Sequence, residues 1–224
     1  MPLTLIGLLM MAIGVVAQNK VKAIVDKYSK QRPKRGLSGE QAAREILDSH
    51  GLGQVQIEQS QWGLLSDHYD PHKAVLRLSK DVGTGVSIAA VGIAAHEAGH
   101  AIQHAESYGP LMMRSSLAPA IAIGMRVVPW IFWGGILLNL TPYRQFGIPL
   151  TLLGSVIFFG ITVLSIITLP VEFDASKRAK HLLQKHNIVD RQEMPGVNAV
   201  LDSAAWTYVV GALSALLRMF LWRR

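Results

Sequence analysis

The sequence contains no cysteine. That excludes disulfides and thiolate ligands, so any bound metal must be held by histidine, aspartate or glutamate. Charge is sparse as well, at 17% of 224 residues, and aromatic residues are fewer still at 7%. What charge there is leans positive, with 22 Lys and Arg against 15 Asp and Glu, a net +7. A basic balance suits a nucleic acid or a membrane surface. Half of the residues are hydrophobic, however, and they are gathered into long runs, so a lipid bilayer is the expected partner and a nucleic acid is not. There are no internal repeats or low-complexity tracts, and nothing in the sequence marks an oligomeric state.

Four runs approach the roughly 20 apolar residues that one helical span requires. They are residues 1–17, 117–140, 148–169 and 204–222. The first and third carry no charge, the second holds only Arg126, and the last only Arg218, near its end. Trp130, Trp133, Trp206 and Trp222 lie inside or border them, as amphipathic rings do at membrane interfaces. The first run has small residues near its end in "GVVAQ" but no basic segment before it, so it reads as a retained span and not a cleaved signal.

Orientation follows from the basic residues beside the spans. Lys20, Lys22, Lys27, Lys30, Arg32, Lys34 and Arg35 follow the first, and Lys177, Arg178, Lys180 and Lys185 follow the third. The loop "TPYRQFG" between the second and third holds only Arg144. Positive residues favour the inside, which places 18–116 and 170–203 in the cytoplasm, although Arg223 and Arg224 then sit on the opposite side. The expectation is an α-helical membrane protein of about four transmembrane helices with a small α+β cytoplasmic unit.

Within 18–116, Ser38 reads as an N-cap before "GEQAAREILDSHG", with Gly51 ending that helix. The stretches "QVQIEQ" and "AVLRLS" alternate apolar and polar residues like half-buried strands, and "DHYDPH" between them has turn chemistry. The second of these strands is expected to offer an unpaired edge to an extended peptide. A long helix is predicted over 86–105. In 170–203, Pro170 is predicted to start a charged amphipathic helix, "LPVEFDASKRAKHLLQKHNI".

The helix over 86–105 carries "AAHEAGHAIQHA". His96 and His100 are four apart and therefore share one helical face, one turn above the other. Two imidazoles so placed can bind one Zn²⁺ at about 2.0–2.1 Å each, and Glu97 beside them can act as the general base of a peptidase. The apolar residues before His96, "SIAAVGIAA", imply a buried helix, and buried histidines with a buried glutamate need partners that a metal supplies. His104 continues the face but drifts a turn further away. The longer metzincin pattern requires glycine at position 103 and histidine at 106. The chain has Gln103 and Glu106, so that family is excluded. A third ligand must come from elsewhere. Glu172 in "LPVEFDAS" is the best candidate, but spacing equally allows an ordinary first-turn acid favoured by the helix dipole.

Together "AAHEAGHAIQHA", "SDHYDPHKAVLRLS" and "LPVEFDASKRA" resemble the YugP-type family of bacterial membrane zinc metallopeptidases, across essentially the whole chain. More distantly the chain is similar to the membrane-embedded HtpX and CAAX prenyl proteases, gluzincins in which HExxH is followed by a glutamate in an ExxxD-type helix. The resemblance implies a zincin-like fold in the cytoplasmic unit and a metal-dependent peptidase of the bacterial inner membrane. Its zinc would be held by His96, His100 and Glu172, Glu97 would be the catalytic base, and the substrate would be a peptide or protein. Four residues after Glu172 the chain has Ser176 where that pattern has aspartate, so the carboxylate that would orient a histidine is missing there. Donors for a transition-state oxyanion are candidates by type only: His68 first, since it lies in a matching motif, then Tyr69, Tyr108, Arg178 and Tyr208.

Two other readings compete. A site-2-type intramembrane protease would take Asp202 of "VLDS" as third ligand, although that class carries LDG and this chain has Ser203. A non-catalytic scaffold would keep zinc for structure alone, but closed structural sites usually use four protein ligands, and Glu97 would have no task in one.

Overall fold

The computed structural model of the chain describes residues 2–61 and 66–222; the side chains of 2–11, 125, 162–165 and 214–222 lie outside that description. Seven helices and three strands follow in the order α1 (Pro2–Tyr28), α2 (Gly39–Ser49), β1 (Gln56–Gln59), β2 (His68–Asp70), β3 (Val75–Leu78), α3 (Lys80–Gly83), α4 (Ile88–Ala105), α5 (Gly109–Asn139), α6 (Arg144–Lys185) and α7 (Met194–Trp222). The fold is mostly helical with one small sheet.

Ser38 caps α2 with a full capping box: its hydroxyl accepts from Gln41 N, and the Gln41 side chain accepts from Ser38 N. Gly51 follows the C-cap with φ +70°, a conformation that glycine adopts without penalty. The sheet order is β1-β3-β2, with β1 parallel and β2 antiparallel to β3. Two expectations are corrected here. "AVLRLS" forms the central strand and has no free edge, and "DHYDPH" opens as strand β2, the edge beside the site. The turn comes after β2, where the Asp70 carboxylate accepts from His72 N and Lys73 N and Ala74 takes φ 52°.

Helix α4 begins at Ile88, two residues later than predicted, because the Ser87 side chain accepts from Ala90 N and caps it there. It runs through the centre of the unit packed from α2, the sheet and the adjoining ends of α6 and α7. Around it pack Ile46 and Leu47 of α2, Leu76 and Leu78 of β3, Leu183 of α6, Val197 of α7 and Ile188 of the α6–α7 connection, all fully or almost fully buried.

Helices α5 and α6 form an antiparallel hairpin, and each is long and apolar enough to cross a membrane. Its outer surface exposes Trp130, Trp133, Leu137, Phe146, Ile148 and Leu152. The expected span 148–169 falls inside α6, and 117–140 ends one residue past α5, at its C-cap Leu140. The run 204–222 falls within α7 and the described part of the run 1–17, from Pro2, within α1; some side chains of each lie outside the description. Pro170 does not start a helix. It lies inside the 42-residue α6, so Glu172 sits in mid-helix and the first-turn reading of its charge is excluded.

Candidate metal centre

Two helices meet where the histidines sit. Gly99 allows it: a Cβ there would lie 2.9 Å from the Ala175 carbonyl oxygen, so α4 approaches the α6 backbone as only glycine permits. This close approach brings Glu172 onto the face that carries His96 and His100. The three side chains each offer one ligand atom, and these atoms lie within 4.8 Å of one another, a grouping that could hold a metal ion. Glu172 Oε2 is 3.2 Å from His96 Nε2 and 3.7 Å from His100 Nε2. Ligands about 2.1 Å from a tetrahedral zinc stand roughly 3.4 Å apart, so the spacing fits.

The electrostatics fit as well. Burial pushes the Glu172 carboxyl up, but hydrogen bonds to His100 and His96, and their charge, outweigh it and hold the group well below the usual carboxylate range. Burial likewise pushes the His100 imidazole down, yet Glu172 and the nearby charge of Glu97 hold it above its ordinary value. A field that favours positive charge on a buried imidazole favours a cation at the same point.

Each histidine is oriented through its other nitrogen. His96 Nδ1 is 3.1 Å from Ser176 Oγ. The serine standing where the gluzincin pattern has aspartate therefore still reaches the histidine. His100 Nδ1 is 2.9 Å from Gln103 Oε1. Gln103 is completely buried, and its Nε2 donates to Val171 O at 2.9 Å and Asp174 Oδ2 at 2.8 Å. With both amide protons committed, Oε1 can only accept. His100 Nδ1 must carry the proton, and Nε2 is left facing the cluster. Asp174 thus acts on His100 through Gln103. Arg178 donates to both Asp174, at 2.5 Å, and Glu106, and lies over the Tyr108 ring, so two of the oxyanion candidates, Arg178 and Tyr108, are engaged in that network.

Glu97 is buried, and its Oε2 accepts from Tyr69 N at 3.1 Å. The candidate base is therefore tied to the edge strand. His104 holds that strand from the other end, with Nδ1 2.9 Å from the Tyr69 hydroxyl. His68 is exposed on β2, its Nδ1 2.7 Å from Ser66 O. It lines a cavity of about 240 Å³ that also contains His96, Glu97 and Glu172. Since Nδ1 donates to that carbonyl, Nε2 of His68 can donate only when the ring is protonated.

Sequence reasoning passed over Arg114 and Gln103. Arg114 of α5 binds Glu172 Oε1, leaving Oε2 turned to the histidines, and lines the same cavity as Tyr208. A lone arginine at the entrance to an apolar run was the available signal for Arg114; Gln103 left no local one. Asp202 is paired with Lys180 at 2.5 Å, on an exposed face, and is not part of the metal-holding group.

Comparisons with known proteins agree with this geometry. The sequence pattern of the family described as "Putative neutral zinc metallopeptidase" matches residues 3–223. A relative from Bacillus subtilis (strain 168), "Putative membrane protease YugP", is 43% identical over 203 residues, covering 91% of this chain and 87% of the relative. No solved structure matches. With a family match over nearly its whole length and a buried His96–His100–Glu172 cluster, the chain belongs to this zinc metallopeptidase family, and its cofactor is zinc.

Proposed function

We propose that this protein is a multi-pass endopeptidase of the bacterial inner membrane, a gluzincin that hydrolyses peptide bonds of membrane-associated polypeptides at the cytoplasmic face. The observation that carries this reading is the placement of a buried Glu97 beside the His96–His100–Glu172 group, at a cavity bordered by an edge strand. A bound zinc held by His96, His100 and Glu172 supplies Lewis acidity, acidifying water and polarising a carbonyl.

The remaining chemistry belongs to side chains. Glu97 accepts the proton of the attacking water at a carboxylate oxygen and returns it to the leaving amine. Tyr69 N fixes the carboxylate for that exchange. Arg114 has five donors and uses one on Glu172, so others remain for a developing oxyanion, assisted by the Tyr208 hydroxyl. β2 is the edge strand beside the site, and an extended substrate would lie against it, with Tyr69 N already given to Glu97.

The test is zinc content and peptidase activity of detergent-purified wild type, Glu172→Ala, Asp202→Ala and Glu97→Gln. Expected are loss of metal in Glu172→Ala, retention in the other two, and a fall in turnover of about 10²–10⁴ in Glu97→Gln alone of the metal-bearing variants. Wild type that binds zinc but cleaves nothing would return the non-catalytic scaffold. Loss of zinc in Asp202→Ala with a loaded Glu172→Ala would return the site-2 reading. Sidedness is directly measurable because the chain lacks cysteine. A single cysteine replacing Glu40 should react with an impermeant reagent only from the cytoplasm, and one replacing Gln145 only from outside.

A further inference from the structure

The metal cluster lies at the junction of two chambers with different walls. The smaller, about 240 Å³, lies among β2, α4, α5 and α6, with His68, His72, Arg114 and Ser115 in its walls beside Leu111 and Ala118. The larger, about 600 Å³, lies among α1, α4, α6 and α7. It has an apolar wall of Val21 and Val25 of α1, Ile93 of α4, and Leu201, Ala204 and Ala205 of α7, with Ser176 and Thr207 beside it. Five residues border both chambers: Asp67, His96, Glu97, Glu172 and Tyr208. The groups that would act on a peptide bond therefore stand between a chamber with a continuous apolar wall and one that carries His68, His72 and Arg114.

Volume and direction bear on what enters. Pockets that bury a drug-sized ligand hold about 300–1,000 Å³, so the larger chamber has room for more than one side chain. Its walls on α1 and α7 continue directly into the apolar runs 1–17 and 204–222. At its mouth stand exposed Gln18, Asn19 and Lys22, the first polar residues after the α1 run. Beyond those polar residues, an apolar segment lying along α1 and α7 would reach Glu97 past Val21, Val25, Ala204 and Ala205. A lipid tail could occupy such a space, but it would have no reason to end against a general base, and it would leave the smaller chamber on the other side unused.

On the peptidase reading, we propose that the larger chamber takes the apolar residues on one side of the scissile bond while the smaller takes polar residues on the other. The substrate class is then a polypeptide cut where an apolar, membrane-inserted stretch gives way to a polar one. Ala204 sets the size limit: it is half-buried, it lines the chamber from α7, and a larger side chain there would fill the space.

The experiment uses full-length, zinc-loaded protein in detergent, with Glu97→Gln to prevent turnover. Binding of two labelled peptides is followed by fluorescence anisotropy, one with an apolar block beside a polar block and one polar throughout. The block peptide should bind about tenfold tighter for each leucine-sized side chain accommodated. Adding Ala204→Trp should abolish that preference at unchanged zinc content, and adding Val21→Ala, which enlarges the chamber, should preserve it and extend it to bulkier residues. A preference that survives Ala204→Trp reflects micelle partitioning and overturns the proposal. So does a wild-type lipid that Ala204→Trp expels when neither peptide is preferred. The expected preference without hydrolysis by the wild type would support the chamber and strike the peptidase reading alone. Hydrolysis indifferent to Ala204→Trp would strike the chamber alone.

Discussion

The unit packed around α4 and the α5–α6 hairpin are held together in different ways. In the first, large side chains disappear from solvent: Ile46, Leu47, Leu76 and Leu183 are each 0% exposed and interlock around α4. In the second, the large side chains point outward, with Trp130 and Leu140 each 81% exposed. There, contact between the helices relies on small residues. A Cβ at Gly135 would stand 2.6 Å from Thr151 N and 3.0 Å from Gly147 O. Expulsion from water drives the first kind of packing, and it has no counterpart among lipid tails. Where lipid is the solvent, backbones must approach closely to gain dispersion contacts instead. The metal cluster joins the two kinds of packing, since its histidines come from the buried helix α4 and its glutamate from α6, which runs on from the hairpin.

That contrast can be broken or sharpened by substitution. The largest effect is expected from Leu183→Ala, which should cost about 2–5 kcal/mol of stability in a denaturant titration in detergent. Gly135→Leu should follow, at about 1–3 kcal/mol, by forcing the hairpin apart, and Trp fluorescence should report the separation. Gln103→Leu acts where the two packings meet. It leaves His100 Nδ1 without its partner and Asp174 with Arg178 alone, and zinc affinity by chelator competition should fall about 10–100-fold. Ser176→Ala should loosen zinc by less than about tenfold, because it removes a single neutral hydrogen bond at His96 Nδ1 and breaks no wider network. The smallest effect belongs to Leu137→Ala. That side chain is 64% exposed, and its removal should stay within about 0.5 kcal/mol. A loss at Leu137 as large as that at Leu183 would end the distinction.

The parts of the site legible in the sequence were those set by one helical turn. His96, Glu97 and His100 declare themselves by spacing, because a helix fixes their relation whatever surrounds it. Glu172 is 76 positions from His96, and no local rule reaches that far; the resemblance to a peptidase family supplied it. Gln103 was invisible for another reason, since an amide orients a ligand only once Val171 and Asp174 are folded against it. Pro170 misled because proline favours helix starts, whereas in α6 packing on both sides carries the helix through the lost hydrogen bond. The strand β2 was hidden by its own turn: three residues pair with β3, the last of them Asp70, and that Asp with Pro71 after it dominates the local pattern.

The separation of the ligands along the chain also has a consequence in time. At about 5–20 residues per second, roughly 4–15 s pass between synthesis of His96 and synthesis of Glu172. A nascent chain in that interval carries imidazoles and a base but no third ligand. The ligand arrives only with α6, after the hairpin has turned back. The metal-holding group is therefore completed only when α6 has emerged, so its assembly follows the chain's own order of synthesis.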